Sequence, residues 1–68
     1  MSDNMERIEQ LESEIRGYEQ LLGMTDYKAL KHSEGLISEA DYAETKAQRQ
    51  ALRDKINECE EEIKRLQP

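Results

Sequence analysis

Two stretches, IEQLESEIRGYEQLL at residues 8–22 and LRDKINECEEEIKRL at residues 52–66, decide the fold. The first carries Ile8, Leu11, Ile15, Tyr18 and Leu22, and the second Leu52, Ile56, Cys59, Ile63 and Leu66. Both series step by alternating threes and fours, which keeps their members on one side of an α-helix. Folding the chain back on itself matches the two stripes in reverse order. Ile8 then lies level with Ile63, Leu11 with Cys59, Ile15 with Ile56, and Tyr18 with Leu52. The expected architecture is all-α: an antiparallel, coiled-coil-like helical hairpin whose seam consumes most of the large apolar residues.

Between the stripes the sequence predicts a short third helix at the turn end. The first helix spans about residues 3–22, and Gly23 follows the last stripe residue as a stop signal. Thr25 reads as an N-cap, Tyr27 and Leu30 share a face, and Gly35 reads as a C-terminal stop, giving a short helix over about residues 26–34. Ser38 followed by Asp41 resembles a capping box, with Ile37 and Tyr42 placed as a hydrophobic staple. A long helix follows over about residues 39–66, roughly 40 Å at 1.5 Å per residue against nearer 30 Å for the first. The short helix is expected to cover the difference, packing on the small residues Ala40, Ala43, Ala47 and Ala51. Arg49 falls where the second stripe extrapolates, so the regular seam is expected to end near Leu52. Gly17 costs up to about 1 kcal/mol against Ala within the first helix and opens a place for another helix to approach.

A chain of 68 residues makes one domain, residues 1–68, with a thin core. Small domains of this kind are marginal unless stapled or oligomeric. Cys59 is the only cysteine, so no disulfide forms within the chain, and one His with one Cys gives no metal-ligand spacing. Self-association is therefore expected, with no cofactor and no metal. The solitary thiol in an apolar stripe fits a reducing, cytoplasmic setting. No apolar run reaches the ~18 residues of a membrane span, and the opening MSDNMERIEQ carries no signal-peptide core.

The net charge of −6 is unevenly placed. Residues 1–23 carry six acids and two bases, residues 24–56 six of each, and residues 57–68 four acids and two bases. In a hairpin the end holding both termini is thus acidic and the turn end balanced. An acidic surface argues against nucleic-acid binding, although it can mimic a phosphate backbone and occupy a basic groove on another protein.

Candidate sites are few. His32 lacks a partnered nucleophile, because Ser33 beside it on a helix points elsewhere. Glu58, Glu60, Glu61 and Glu62 spread around a helix rather than converging. No catalytic constellation emerges, so an enzyme is not expected. Tyr27, Lys28, Lys31, Tyr42, Arg49 and Arg53 are candidates for a partner or ligand surface at the turn end, able in principle to grip a phosphate or small nucleotide. Met1, Met5 and Met24 offer adaptable apolar surface.

The series Thr25-Asp26-Tyr27, Leu36-Ile37-Ser38-Glu39 and Gln48-Arg49-Gln50-Ala51-Leu52-Arg53-Asp54 resembles a short helical module of bacteriophage tail assembly chaperones and tail-fibre assembly proteins. The resemblance covers roughly residues 24–57, and the final heptapeptide is its most specific part. Tyr27 and Tyr42 stand where tryptophans are common in that module, and a long charged helix continues past Asp54. The resemblance implies a phage origin and a protein-binding role without catalytic residues. The alternative expectation is an anti-defence protein, which inhibits a host immune protein through its acidic surface or sequesters a nucleotide signal.

Overall fold

The computed structural model describes the backbone of residues 2–67 and the side chains of residues 4–67; Met1 lies outside them. It contains two helices, α1 (Ser2–Ser33) and α2 (Glu39–Leu66), and no strand among the described residues. Thirty-two residues at 1.5 Å each span about 48 Å, close to the longest dimension of the molecule, 51 × 16 × 15 Å. The chain is therefore one hairpin, two helices wide. Contacts at both ends show that α2 returns alongside α1. Arg7 meets Glu62 at the terminal end, and His32 meets Tyr42 at the turn.

The separate short helix expected over residues 26–34 does not form; that stretch is the C-terminal part of α1. Gly23 does not end the first helix, and a Cβ added there would meet nothing within 4 Å. The reason is visible in the burial pattern. The less exposed residues of α1 are Ile8, Leu11, Ile15, Tyr18, Leu22, Thr25, Ala29 and His32. That is the apolar stripe continued, in the same threes and fours, through residues that are small or polar. Holding this face against α2 offsets the propensity cost of Gly23, about 1 kcal/mol against Ala.

On α2 the same spacing runs through Tyr42, Thr45, Arg49, Leu52, Ile56, Cys59, Ile63 and Leu66. The seam thus extends beyond Leu52 to the turn. The alanines expected to receive a packed helix, Ala40, Ala43, Ala47 and Ala51, are all exposed. They lie off the Tyr42–Thr45–Arg49 line against which α1 packs.

Two cross-seam contacts hold the turn end together. His32 stacks on Tyr42 with ring centroids 4.4 Å apart and planes 13° from parallel. Seven residues back along α1 and seven forward along α2, Thr25 meets Arg49 at 2.8 Å. At the terminal end Arg7 bonds Glu62, and Leu11 lines one groove with Cys59.

The turn is built from capping interactions. Gly35 adopts φ 76°, the left-handed conformation that glycine reaches without a Cβ clash. Its N–H donates to the His32 carbonyl at 3.0 Å, and the Leu36 N–H donates to the Lys31 carbonyl at 2.8 Å. These two bonds form a Schellman motif closing α1. Ser38 then caps α2, its hydroxyl accepting from the Asp41 N–H at 3.1 Å. Glu39 and Asp41 in the first turn of α2, and Lys31 and His32 in the last turn of α1, complement the helix dipoles.

Leu11 is the most deeply buried large side chain, 2% exposed. We expect Leu11→Ala to lower the free energy of unfolding by about 2–3 kcal/mol, measured by urea denaturation followed by circular dichroism. Leu30→Ala, at an exposed position, should change it by less than about 0.5 kcal/mol. Equal effects would show that the seam is not the source of stability.

Candidate protein-binding surface

The turn end is organised around Arg49. Its position on the seam would ordinarily hold an apolar side chain, and an unpaired charge there would be costly. The side chain is only 14% exposed. Its Nη1 donates to the Leu22 carbonyl at 2.9 Å and to Thr25 Oγ1 at 2.8 Å. Its Nη2 lies 3.0 Å from Asp26 Oδ1. The Thr25 hydroxyl in turn donates to the Leu22 carbonyl at 3.2 Å. A planar fork with several donors suits this group of acceptors on one helix turn, which a lysine ammonium could not reproduce. Among the described residues no buried side-chain N or O atom lacks a partner.

One turn from the loop, His32 is held by its stack on Tyr42 and by its Nε2, which donates to Glu39 Oε1 at 2.9 Å. The Thr-Asp, Ser-Glu and Arg residues of the phage-like series are therefore structural here. Thr25 and Asp26 receive Arg49, while Ser38 and Glu39 hold the entrance of α2.

One side of the hairpin carries two adjoining grooves. The first, about 370 Å³, is lined mainly by apolar surface from Leu21, Met24, Ala51 and Leu52, with Lys55 at its edge. Leu21 is 48% and Met24 69% exposed. The second, about 180 Å³, shares Lys55 and is polar, lined by Arg7, Glu14, Glu58 and Glu62 around Tyr18 and Cys59. There Arg7 donates from Nε and Nη2 to the two carboxylate oxygens of Glu62, at 2.8 and 3.2 Å. This charge-assisted hydrogen bond holds the Glu62 carboxyl below its ordinary range and raises the Arg7 guanidinium. Burial, then the Glu14 and Glu62 carboxylates, pushes the Cys59 thiol up, so it stays protonated and is a poor nucleophile.

The residues expected to form one turn-end surface separate into three places. Tyr42 and Arg49 point into the seam. Tyr27, Lys28 and Lys31 lie exposed on α1, with the Lys31 ammonium 5.6 Å from the centre of the Tyr27 ring. Arg53 is exposed on α2, donating to Gln50 Oε1 at 3.0 Å, and lines a different shallow groove with Lys46, Ala43 and Ala47. They do not converge on one phosphate-sized site. The ten stripe residues Ile8, Leu11, Ile15, Tyr18, Leu22, Leu52, Ile56, Cys59, Ile63 and Leu66 all lie on the seam as buried or half-buried side chains.

The Leu21–Met24 groove was not anticipated. Its signal in the sequence was Leu21 standing beside the stripe residue Leu22, with Met24 one turn on. Among the described residues no group of three or more His, Cys, Asp or Glu could hold a metal ion, and no helix is long and apolar enough to cross a membrane. Comparison of the chain with protein-family models, curated proteins and solved structures finds no match.

Because the folded-state pKa of Glu62 is depressed, its pairing stabilises the hairpin above the unfolded carboxylate pKa and is lost as pH falls through the folded value. We expect the Glu62 carboxyl, followed by NMR, to titrate below the ordinary carboxylate range and to rise in Arg7→Gln. A Glu62 titration unaffected by Arg7→Gln would show that the pair does not form in solution.

Proposed function

We propose that this chain is a phage-type, non-enzymatic protein-interaction hairpin, an assembly chaperone or adaptor working as a homo-oligomer in the bacterial cytoplasm. The observation that carries this reading is surface left over after folding. The chain exposes 5279 Å², whereas a globular monomer of its 8.0 kDa would expose about 4,450 Å². Leu11, Tyr42, Thr45 and Cys59 are buried, while Met5, Leu21, Met24, Tyr27, Leu30 and Leu36 stay exposed. An antiparallel coiled coil of two helices has its one seam filled by its own partner, so the remaining apolar groups are available to other chains. The motif resemblance supports a phage setting, and it rests on the residues quoted above.

The second reading, an anti-defence protein, is supported by the net charge of −6 and by Glu14, Glu58 and Glu62 in a groove that also holds Arg7 and Lys55. An acidic face would bind a basic surface on a host protein in a salt-sensitive manner. Sequestration of a nucleotide has less support, because Lys28, Lys31, Arg49 and Arg53 are dispersed.

Sedimentation velocity at micromolar concentration, combined with affinity capture from phage-infected cells, separates these readings. Under the first, the chain sediments as an oligomer and retains a phage structural protein. Under the second, it retains a host protein, and reversing Glu58, Glu61 and Glu62 abolishes capture. A monomer that retains neither would contradict both.

A further inference from the structure

The exposed face of α1 beside the Leu21–Met24 groove carries a self-complementary pattern. Reading along it, Glu14, Gly17, Leu21, Met24, Lys28 and Lys31 recur in steps of three and four residues, the spacing of a single helix face. All six are exposed. The pattern is symmetric in spacing about a centre between Leu21 and Met24. It is also complementary in kind, with an acid and a glycine on one side and two lysines on the other.

We propose that a second copy of this chain covers this face, its α1 antiparallel to the first across a two-fold axis between Leu21 and Met24. This rests on the oligomeric reading above and names the surface that makes the oligomer. In such an isologous contact each residue meets its counterpart reciprocally. Leu21 of each copy packs on Met24 of the other, over the apolar floor that Ala51 and Leu52 provide. Gly17, where an added Cβ would meet nothing within 4 Å, lies opposite Lys28 and leaves room for its stem. Glu14 lies opposite Lys31, giving one ion pair on each side of the axis.

Two observations support a second copy as the occupant. The excess surface of the chain, about 800 Å², is close to the area one partner contributes to a standard interface. The polar groove of Glu14, Glu58 and Glu62, which also holds Arg7 and Lys55, adjoins the apolar groove on the same side, so an antiparallel neighbour sets its lysines towards Glu14.

The test is sedimentation equilibrium of the full chain and its variants, with circular dichroism to confirm helicity. The wild type should have twice the 8.0 kDa chain mass. Leu21→Glu with Met24→Glu should be a helical monomer, since both side chains are exposed in the single chain. Leu30→Glu with Leu36→Glu, away from this face, should remain dimeric. Glu14→Lys or Lys31→Glu alone should weaken the dimer by about tenfold, and the two together should restore it. A wild-type monomer would overturn both this interface and the oligomeric reading, leaving the groove to a different protein. A dimer that survives Leu21→Glu with Met24→Glu would overturn this interface alone. Failure of the paired charge swap to restore affinity would overturn the antiparallel arrangement.

Discussion

Arg49 lies between the two helices with its guanidinium shared among the Leu22 carbonyl, the Thr25 hydroxyl and the Asp26 carboxylate. An apolar seam is tolerant of sliding, because one layer of Leu and Ile packs much like the next. A forked cation that must find three acceptors on one turn of the facing helix is not. A single polar group at a seam position is known to select register at some cost in stability. Here it sets Leu22, Thr25 and Asp26 of α1 against Arg49 of α2. The turn agrees with it: Gly35 closes α1, Ser38 opens α2, and His32 on Tyr42 occupies the last layer.

That requirement also explains why α1 is continuous. Thr25 and His32 are on the seam because Arg49 and Tyr42 face them, and a break at Gly23 would take the Arg49 acceptors apart. The large apolar residues near this region, Leu21, Met24, Tyr27, Leu30 and Leu36, are consequently exposed. The Thr-Asp-Tyr and Arg-Gln-Ala-Leu-Arg-Asp motifs are thus first an account of how this hairpin end is locked.

The apolar stripes were legible because Ile, Leu and Tyr at steps of three and four have few other uses in so polar a chain. Their continuation was not, because Thr25, His32, Thr45 and Arg49 occupy seam positions with residues that usually mark a surface. Gly35 and Ser38 announce the turn through the backbone conformation and the cap each supplies. Gly23 carries the same residue type as Gly35 and yet sits mid-helix, since nothing in its neighbours demands a left-handed backbone. The packing of the turn end was the least legible feature. It depends on hydrogen bonds from one arginine, whereas hydrophobic matching offers two nearly equivalent solutions one layer apart.

Cysteine pairs placed across the seam in a Cys59→Ala background measure that choice directly. Leu22→Cys with Leu52→Cys reports the pairing that continues the His32–Tyr42 and Thr25–Arg49 contacts, and Tyr18→Cys with Leu52→Cys reports the pairing expected from the apolar stripes. With Arg49 present, only the first pair should form an intramolecular disulfide on mild oxidation. With Arg49→Leu, both pairs should form it. Cross-linking of the Tyr18–Leu52 pair while Arg49 is present, or a single register after Arg49→Leu, would contradict the role assigned to this arginine.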